Sequence, residues 1–282
     1  PYRGSGLLIP GRVTASGGVP IYLRRAYSPC ISLAVLLVAG ALIYLPGLEG
    51  PYLFDDQSNL LANTYIQLRQ LTWNDLYTAA FSLDSGPLRR PVSVLSFALN
   101  YWAAGGFDNP AAFKTVNLAI HLLNGLLVFA FIRLILDRAG AGHQLRHWLP
   151  GLVALLWTVH PIQLTSVLYV VQRMTSLAAF FTLAALCTYL VARQRLDAHR
   201  RRDGWLFLTL SMLLATLGVF SKESAVLFPL YAAVVELAFY PHSIPGRLRQ
   251  CLAHFRGWLV AGGVVAALGA AVAGAIVYFE PR

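Results

Sequence analysis

Two adjacent carboxylates, Asp55 and Asp56, follow Phe54 just downstream of an apolar run long enough to cross a membrane. A carboxylate at a membrane surface is partly desolvated, which raises its proton affinity and suits it to general-base work. Two neighbours can divide the labour, one removing a proton while the other orients a substrate or holds a metal; either aspartate fits either role. The plainer alternative is a solvated loop entry in which Asp56 caps the following helix. Cations follow along the chain. Arg89 and Arg90 precede Pro91, which pushes Arg90 towards extended geometry, and their forks of donors suit a phosphate. Lys114, Asn117, His121 and Asn124 are spaced 3, 4 and 3, an arc of about 80° on a helix. His160-Pro161 and Gln172-Arg173 interrupt a later apolar run, and Lys222-Glu223 sits at a junction of two more.

Together these types favour transfer from a lipid phosphate carrier. Such a donor keeps its tail in the bilayer and its phosphate at the surface. Basic groups would hold the leaving phosphate, an electrostatic task for pre-placed Arg and Lys. A carboxylate would activate the attacking hydroxyl. The bland alternatives are lipid snorkelling for the arginines, interhelical hydrogen bonding for the polar stripe, a satisfied core histidine at His160, and a structural ion pair at Lys222-Glu223.

These residues must be positioned by membrane helices. Hydrophobic residues make up 57% of the 282, and charged residues 12%, half the usual share of about 25%. Apolar runs fall at about 29–48, 113–136, 205–220, 225–240 and 258–279, with an interrupted one over 149–193. The net charge of +10 is read as basic cytoplasmic loops; no basic stretch is interleaved with aromatics, which speaks against nucleic acid. Four segments, around Arg3–Arg25, Arg133–Arg146, Arg193–Arg202 and Arg247–Arg256, carry 15 of the 22 basic residues. Placing all four inside requires two spans within 149–193 and gives about seven spans, N-terminus in and C-terminus out. The remaining seven basic residues, including both lysines, fall outside, and most lie in the stretches named above. The long outer segment 49–112 lacks a continuous spanning run and shows helix-like apolar spacing, so it is expected to carry amphipathic surface helices. Cys30, Cys187 and Cys251 have neither metal nor disulfide-framework spacing. Beginning at Pro1 and ending just after an apolar run, the chain is expected to be part of a longer one.

The stretches F-D-D (54–56), R-P-x-x-x-x-S-F-x-L-N-Y (90–101), F-x-x-V-N-x-x-I-H (113–121), H-P-x-x-x-x-S-V-x-x-V-x-x-R (160–173) and S-K-E-S (221–224) are similar to the membrane O-glycosyltransferases of the GT-C superfamily. In pattern they most resemble the transmembrane-and-tetratricopeptide O-mannosyltransferases and their bacterial counterparts. The resemblance implies an inverting transferase on the periplasmic or luminal face. Its donor would be a polyprenyl-phosphate-linked sugar, and an acidic residue of the first outer loop would be the base, here Asp55 or Asp56. It also implies a seven-span module with surface helices in that loop. Arg89, Arg90, Lys114, His121, His160, Arg173, Lys222 and Glu223 fall on motif positions. Thr165 stands where the mannosyltransferase branch commonly carries Glu, and the family's tetratricopeptide part lies outside this sequence.

The expectation is therefore an all-α polytopic membrane protein: a cytoplasmic segment 1–28, then a transmembrane module 29–282 with outer loop 49–112. Asp55 and Asp56 are the catalytic candidates. Arg89, Arg90, Lys114, Arg173 and Lys222 are the donor-phosphate candidates, with Asn117, His121, His160 and Glu223 supporting. No resident cofactor is expected and no metal is indicated, although the aspartates leave a divalent ion open. Expected partners are membrane lipids, the lipid-linked sugar and a protein or glycan acceptor hydroxyl, in a bacterial inner membrane with a periplasmic site. A transporter or flippase for lipid-linked sugars would use the same cations without a base, and a non-catalytic assembly subunit would tolerate their loss.

Overall fold

The longest helix shows how the fold is started and stopped. Asn109 accepts a hydrogen bond from the Ala111 amide, Pro110 takes the first helical position, and the helix runs Pro110–Arg138. Both are standard helix-start devices. The computed structural model describes residues 21–84 and 86–240. Among these the secondary structure is helical throughout: α1 (Ile21–Tyr44), α2 (Trp73–Ala80), α3 (Pro91–Ala104), α4 (Pro110–Arg138), α5 (His143–Val159), α6 (Leu164–Leu168), α7 (Arg173–Asp197), α8 (Arg201–Ser221) and α9 (Phe228–Phe239).

Four stretches are long and apolar enough to cross a membrane: Cys30–Gly47, Pro110–Arg138, Val170–Asp197 and Arg201–Ser221. A fifth forms if α5 and the following Pro161–Leu168, bent by 53°, count as one broken span. The expected seven are not reached among the described residues. The run at 225–240 begins with a tight turn over Glu223–Leu227, leaving α9 only 12 residues, about 18 Å of a ~30 Å hydrocarbon layer. The expected span at 258–279, the basic loop before it and most of the N-terminal segment lie outside the described residues.

α7 and α8 pair as an antiparallel hairpin, and α4 packs between α7 and α5, with α1 against α5. Small residues allow the close approaches: Gly40 and Gly125 both abut Thr158, where α1, α4 and α5 meet, as interfaces between membrane helices favour.

The segment 49–112 is a packed cap. Leu60, Ile66, Leu83, Val94 and Phe97 bury with Phe113 of α4 and Val170, Val171 and Met174 at the start of α7. Of the stretch 61–81, whose spacing led to the expected surface helices, only α2 is α-helical, and α3 follows it. α2 begins on Thr72, whose hydroxyl accepts from the Asp75 amide, and it leaves Trp73 89% and Tyr77 69% exposed. α3 is fastened to α8 by Ser93, which donates to the Ser221 carbonyl. The cap core thus ties the acidic doublet's loop to the top of α7.

Candidate functional site

The loop after α1 places the two aspartates in opposite surroundings. Phe54 has a positive φ of 39°, an uncommon conformation for a large side chain and a form of local strain that must be held by its surroundings. The turn closes when the Asp56 amide donates to the Leu53 carbonyl and the Leu53 amide donates to Asp56 Oδ2, at 2.8 and 2.9 Å. The second Asp56 oxygen accepts from the Val171 amide at 2.7 Å. Asp56 is fully buried. Burial pushes its proton affinity up, while the amides of Leu53, Val171 and Val170 and the Lys114 charge pull it down, leaving it raised. Asp55 is exposed. Its amide donates to the Tyr169 hydroxyl at 2.9 Å, and the Phe54 ring meets Tyr169 edge-on at 6.1 Å. Asp55 lines a polar cavity of about 580 Å³.

The polar stripe of α4 turns into the protein. Lys114 is buried and donates to the carbonyls of Gly50 (2.6 Å), Pro51 (3.1 Å) and Gly47 (3.5 Å). Asn117 donates to the carbonyls of Val167, Tyr169 and Val170. His121 Nε2 sits 2.9 Å from the Thr158 carbonyl, with its ring stacked on Trp157, and Asn124 donates to the Ser176 carbonyl. The three carbonyls that Asn117 meets belong to the broken stretch between α5 and α7, whose backbone has too few helical partners of its own. Arg173 is also fully buried. Its guanidinium donates to Asn117 Oδ1, Asn100 Oδ1 and the carbonyls of Ser96 and Phe113, over the face of Phe97 at 4.5 Å. His160 is exposed and its Nδ1 accepts from the Ile162 amide, capping the turn after the break.

A second group forms where α3 and α7 begin and α8 ends. Arg90 has a φ of 50° and pairs with Glu223 at 2.9 Å. Gly86, at φ 85°, lies where a Cβ would strike the Glu223 carboxylate, so both its backbone angle and the close approach require glycine. Burial pushes the Glu223 pKa up, but the Arg90 hydrogen bond and the Arg90 and Lys222 charges bring it below the ordinary value. Lys222 therefore does not pair with its neighbour. Its ammonium donates to Thr175 Oγ1 at 2.7 Å, and burial, then the Arg90 charge, lowers its pKa. Arg89 is exposed and donates to the Phe81 carbonyl. Directly below Thr175 and Ser224 opens an apolar cavity of about 550 Å³, running past Ala179 and Thr182 to Val234 on α9.

One seven-residue stretch joins the two groups. Tyr169 meets Asp55, Val171 meets Asp56, and Thr175 meets Lys222. Thr175 lies four residues beyond Val171, about 6 Å along a helix axis, so the Asp56 carboxylate on Val171 and the Lys222 ammonium on Thr175 are on the order of 10 Å apart. Tyr169 and Thr175 were not singled out from the sequence, since each occupies an unremarked position in or beside the H-P…R stretch. Tyr52 was missed too. Among the described residues its hydroxyl is buried without a partner, and burial followed by the Asp56 charge pushes its pKa up to about 12. Among the described residues no three His, Cys, Asp or Glu side chains converge as a metal site.

The chain is 30% identical to human protein O-mannosyl-transferase TMTC4 over 189 residues, covering 63% of this chain and 25% of that protein. It is 30% identical to Drosophila melanogaster protein O-mannosyl-transferase Tmtc2 over 214 residues (74% and 21%). With mouse protein O-mannosyl-transferase TMTC1 it shares 28% over 237 residues (79% and 23%). It is a distant homologue of the protein O-mannosyl-transferases. The resemblance carried by the five motifs is thereby shown. The chain spans only a fifth to a quarter of the length of these curated relatives. They are animal proteins, which lends no support to the expected bacterial inner membrane. No family model and no solved structure matches.

Proposed function

We propose that this chain carries the catalytic module of an inverting glycosyltransferase. It would move a sugar from a polyprenyl-phosphate carrier to a protein hydroxyl on the extracytoplasmic face. The observation that carries this reading is the shared stretch 169–175, which touches the acidic doublet at one end and Lys222 at the other. The apolar cavity beneath Thr175 receives the isoprenoid tail. Lys222 meets the phosphate, with Arg90 held beside it by Glu223 and Arg89 at the rim. Meeting an anion offsets the desolvation that lowers the Lys222 pKa.

Asp55, whose carboxylate faces a cavity, takes the acceptor's proton as the hydroxyl oxygen forms its bond to the anomeric carbon. The bond from that carbon to the phosphate oxygen breaks, and the phosphate leaves with the electron pair, stabilised by Lys222 and Arg90. Asp56, Lys114, Asn117, His121 and Arg173 spend their polar atoms on the protein and act by positioning; His160 shapes the turn. Mannose, the sugar in the relatives' names, is the donor to test first.

The test compares Asp55→Asn with Asp56→Asn in lipid. Asp55→Asn is expected to stay folded and bind donor while losing about 10²- to 10⁴-fold in transfer. Asp56→Asn is expected to lower the unfolding temperature, because one buried amide loses a charged acceptor. Wild-type transfer in a folded Asp55→Asn protein would remove the base from the scheme.

A further inference from the structure

Asp55 is pinned by its backbone while its side chain stays at the surface. Its carbonyl accepts from Asn59 Nδ2 at 3.0 Å, and its amide donates to the Tyr169 hydroxyl at 2.9 Å, across 114 residues of chain. A phenol oxygen has a proton to give as well as lone pairs to receive. With a lone pair taken by the amide, the proton is left for an acceptor, and the carboxylate of the same residue supplies one. The Tyr169 pKa reflects both contacts: burial pushes it up, the Asp55 amide draws it down, and the Asp55 charge and a hydrogen bond to that carboxylate push it up again.

Tyr169 is itself firmly held. Its carbonyl accepts from Asn117 Nδ2 at 3.4 Å and from the Gln172 amide at 3.1 Å, its ring meets Phe54 edge-on, and it packs on the cap core. Two residues further on, the Val171 amide fixes the neighbouring Asp56. An exposed carboxylate on a loop otherwise turns freely, and a reacting group that wanders loses the advantage of proximity.

We propose that Tyr169 is a positioning residue for Asp55, its hydroxyl gripping the amide and the carboxylate together so that the other carboxylate oxygen is aimed at the acceptor. The inference rests on the reading of Asp55 as the base and adds how a surface carboxylate is oriented. The aimed oxygen takes the acceptor's proton. Tyr169 keeps its own proton and touches neither sugar nor phosphate. What two backbone amides do for the buried Asp56, a phenol does for Asp55.

The experiment uses the full chain in lipid nanodiscs and Tyr169→Phe, which deletes one oxygen and keeps the ring against Phe54. The Asp55 amide lies at the surface, where water replaces the lost acceptor, so the unfolding temperature is expected to stay within about 2 °C of wild type. Transfer from polyprenyl-phosphate mannose to a serine-containing peptide is expected to lose about 10- to 100-fold in kcat, with the donor KM changed less than about twofold. In an Asp55→Asn background Tyr169→Phe is expected to cost nothing further, because residues that act through one another are not additive. A second measurement needs no turnover. Carbodiimide labelling of Asp55, read by peptide mass spectrometry against the exposed Asp84, is expected to rise about fivefold in Tyr169→Phe. Wild-type kcat in Tyr169→Phe, a loss carried by KM or by unfolding, a loss that persists in full in Asp55→Asn, or unchanged labelling overturns the proposal. Faster labelling in a protein that transfers no mannose upholds Tyr169 as the anchor of Asp55 and counts against the base reading instead.

Discussion

The aspartates differ by one position in sequence and by nearly everything in environment. Asp56 is sealed under the loop with both oxygens taken by backbone amides, while Asp55 opens to a cavity. Phe54 in the left-handed region, braced against Tyr169, produces the divergence. A sequence shows that two rare acids are adjacent; it does not show a turn that sends their side chains apart. The same limit applies to Lys114 and Arg173. That they stand out within apolar runs was legible because charged residues are only 12% of the chain. Their partners were not, because those are mostly carbonyls, which every residue possesses. Lys222-Glu223 shows the error that adjacency invites: the partners are Thr175 and Arg90. The Arg90–Glu223 pair carries a pH prediction. The native carboxyl titrates below its ordinary value of 4.5, so its stabilisation is complete above that value and is lost as pH falls through the native one. Between about pH 6 and pH 3.5 the unfolding temperature of the wild type is expected to fall more steeply than that of Glu223→Gln. Parallel curves would show that the pair contributes nothing.

At the scale of elements, α4 acts as a scaffold for a stretch that is not a regular helix. Three carbonyls of the broken segment and the Arg173 guanidinium all converge on Asn117. Asn117→Leu keeps similar bulk but leaves those groups without their partner. It is expected to cost about 2–3 kcal/mol, measured by thermal or denaturant unfolding in detergent. A change within about 0.5 kcal/mol would mean that water replaces the amide. The spacing of the polar stripe was readable from the helical period, and so was the break at Pro161. Which element the stripe faced was not, because periodicity fixes a face without naming its neighbour. The apolar run at 225–240 misled for a related reason: hydropathy counts residues, but the turn over Glu223–Leu227 shortens the helix available to cross.

Across the described residues, the candidate site sits at one end of the bundle and an apolar cavity leads down from it. The rarity of charge, its distribution among loops and the order of the five motifs conveyed this arrangement without structure. The cavity itself was invisible, since it is lined by alanine, threonine and valine like any helix contact. Its proposed role in holding an isoprenoid tail predicts the effect of Ala179→Trp, which fills the cavity without touching Lys222 or the aspartates. The KM for a long-chain donor is expected to rise about tenfold or more, with a much smaller effect on a truncated, water-soluble donor. Equal effects on both donors would locate the tail elsewhere.

The stretch 169–175 is a party wall between two rooms. Under the proposed scheme it faces the incoming hydroxyl on one side and the sugar phosphate on the other. Whatever free energy the first guest contributes to the second guest's stay must be returned in equal measure. Saturating one room and titrating the other therefore measures how stiff that wall is.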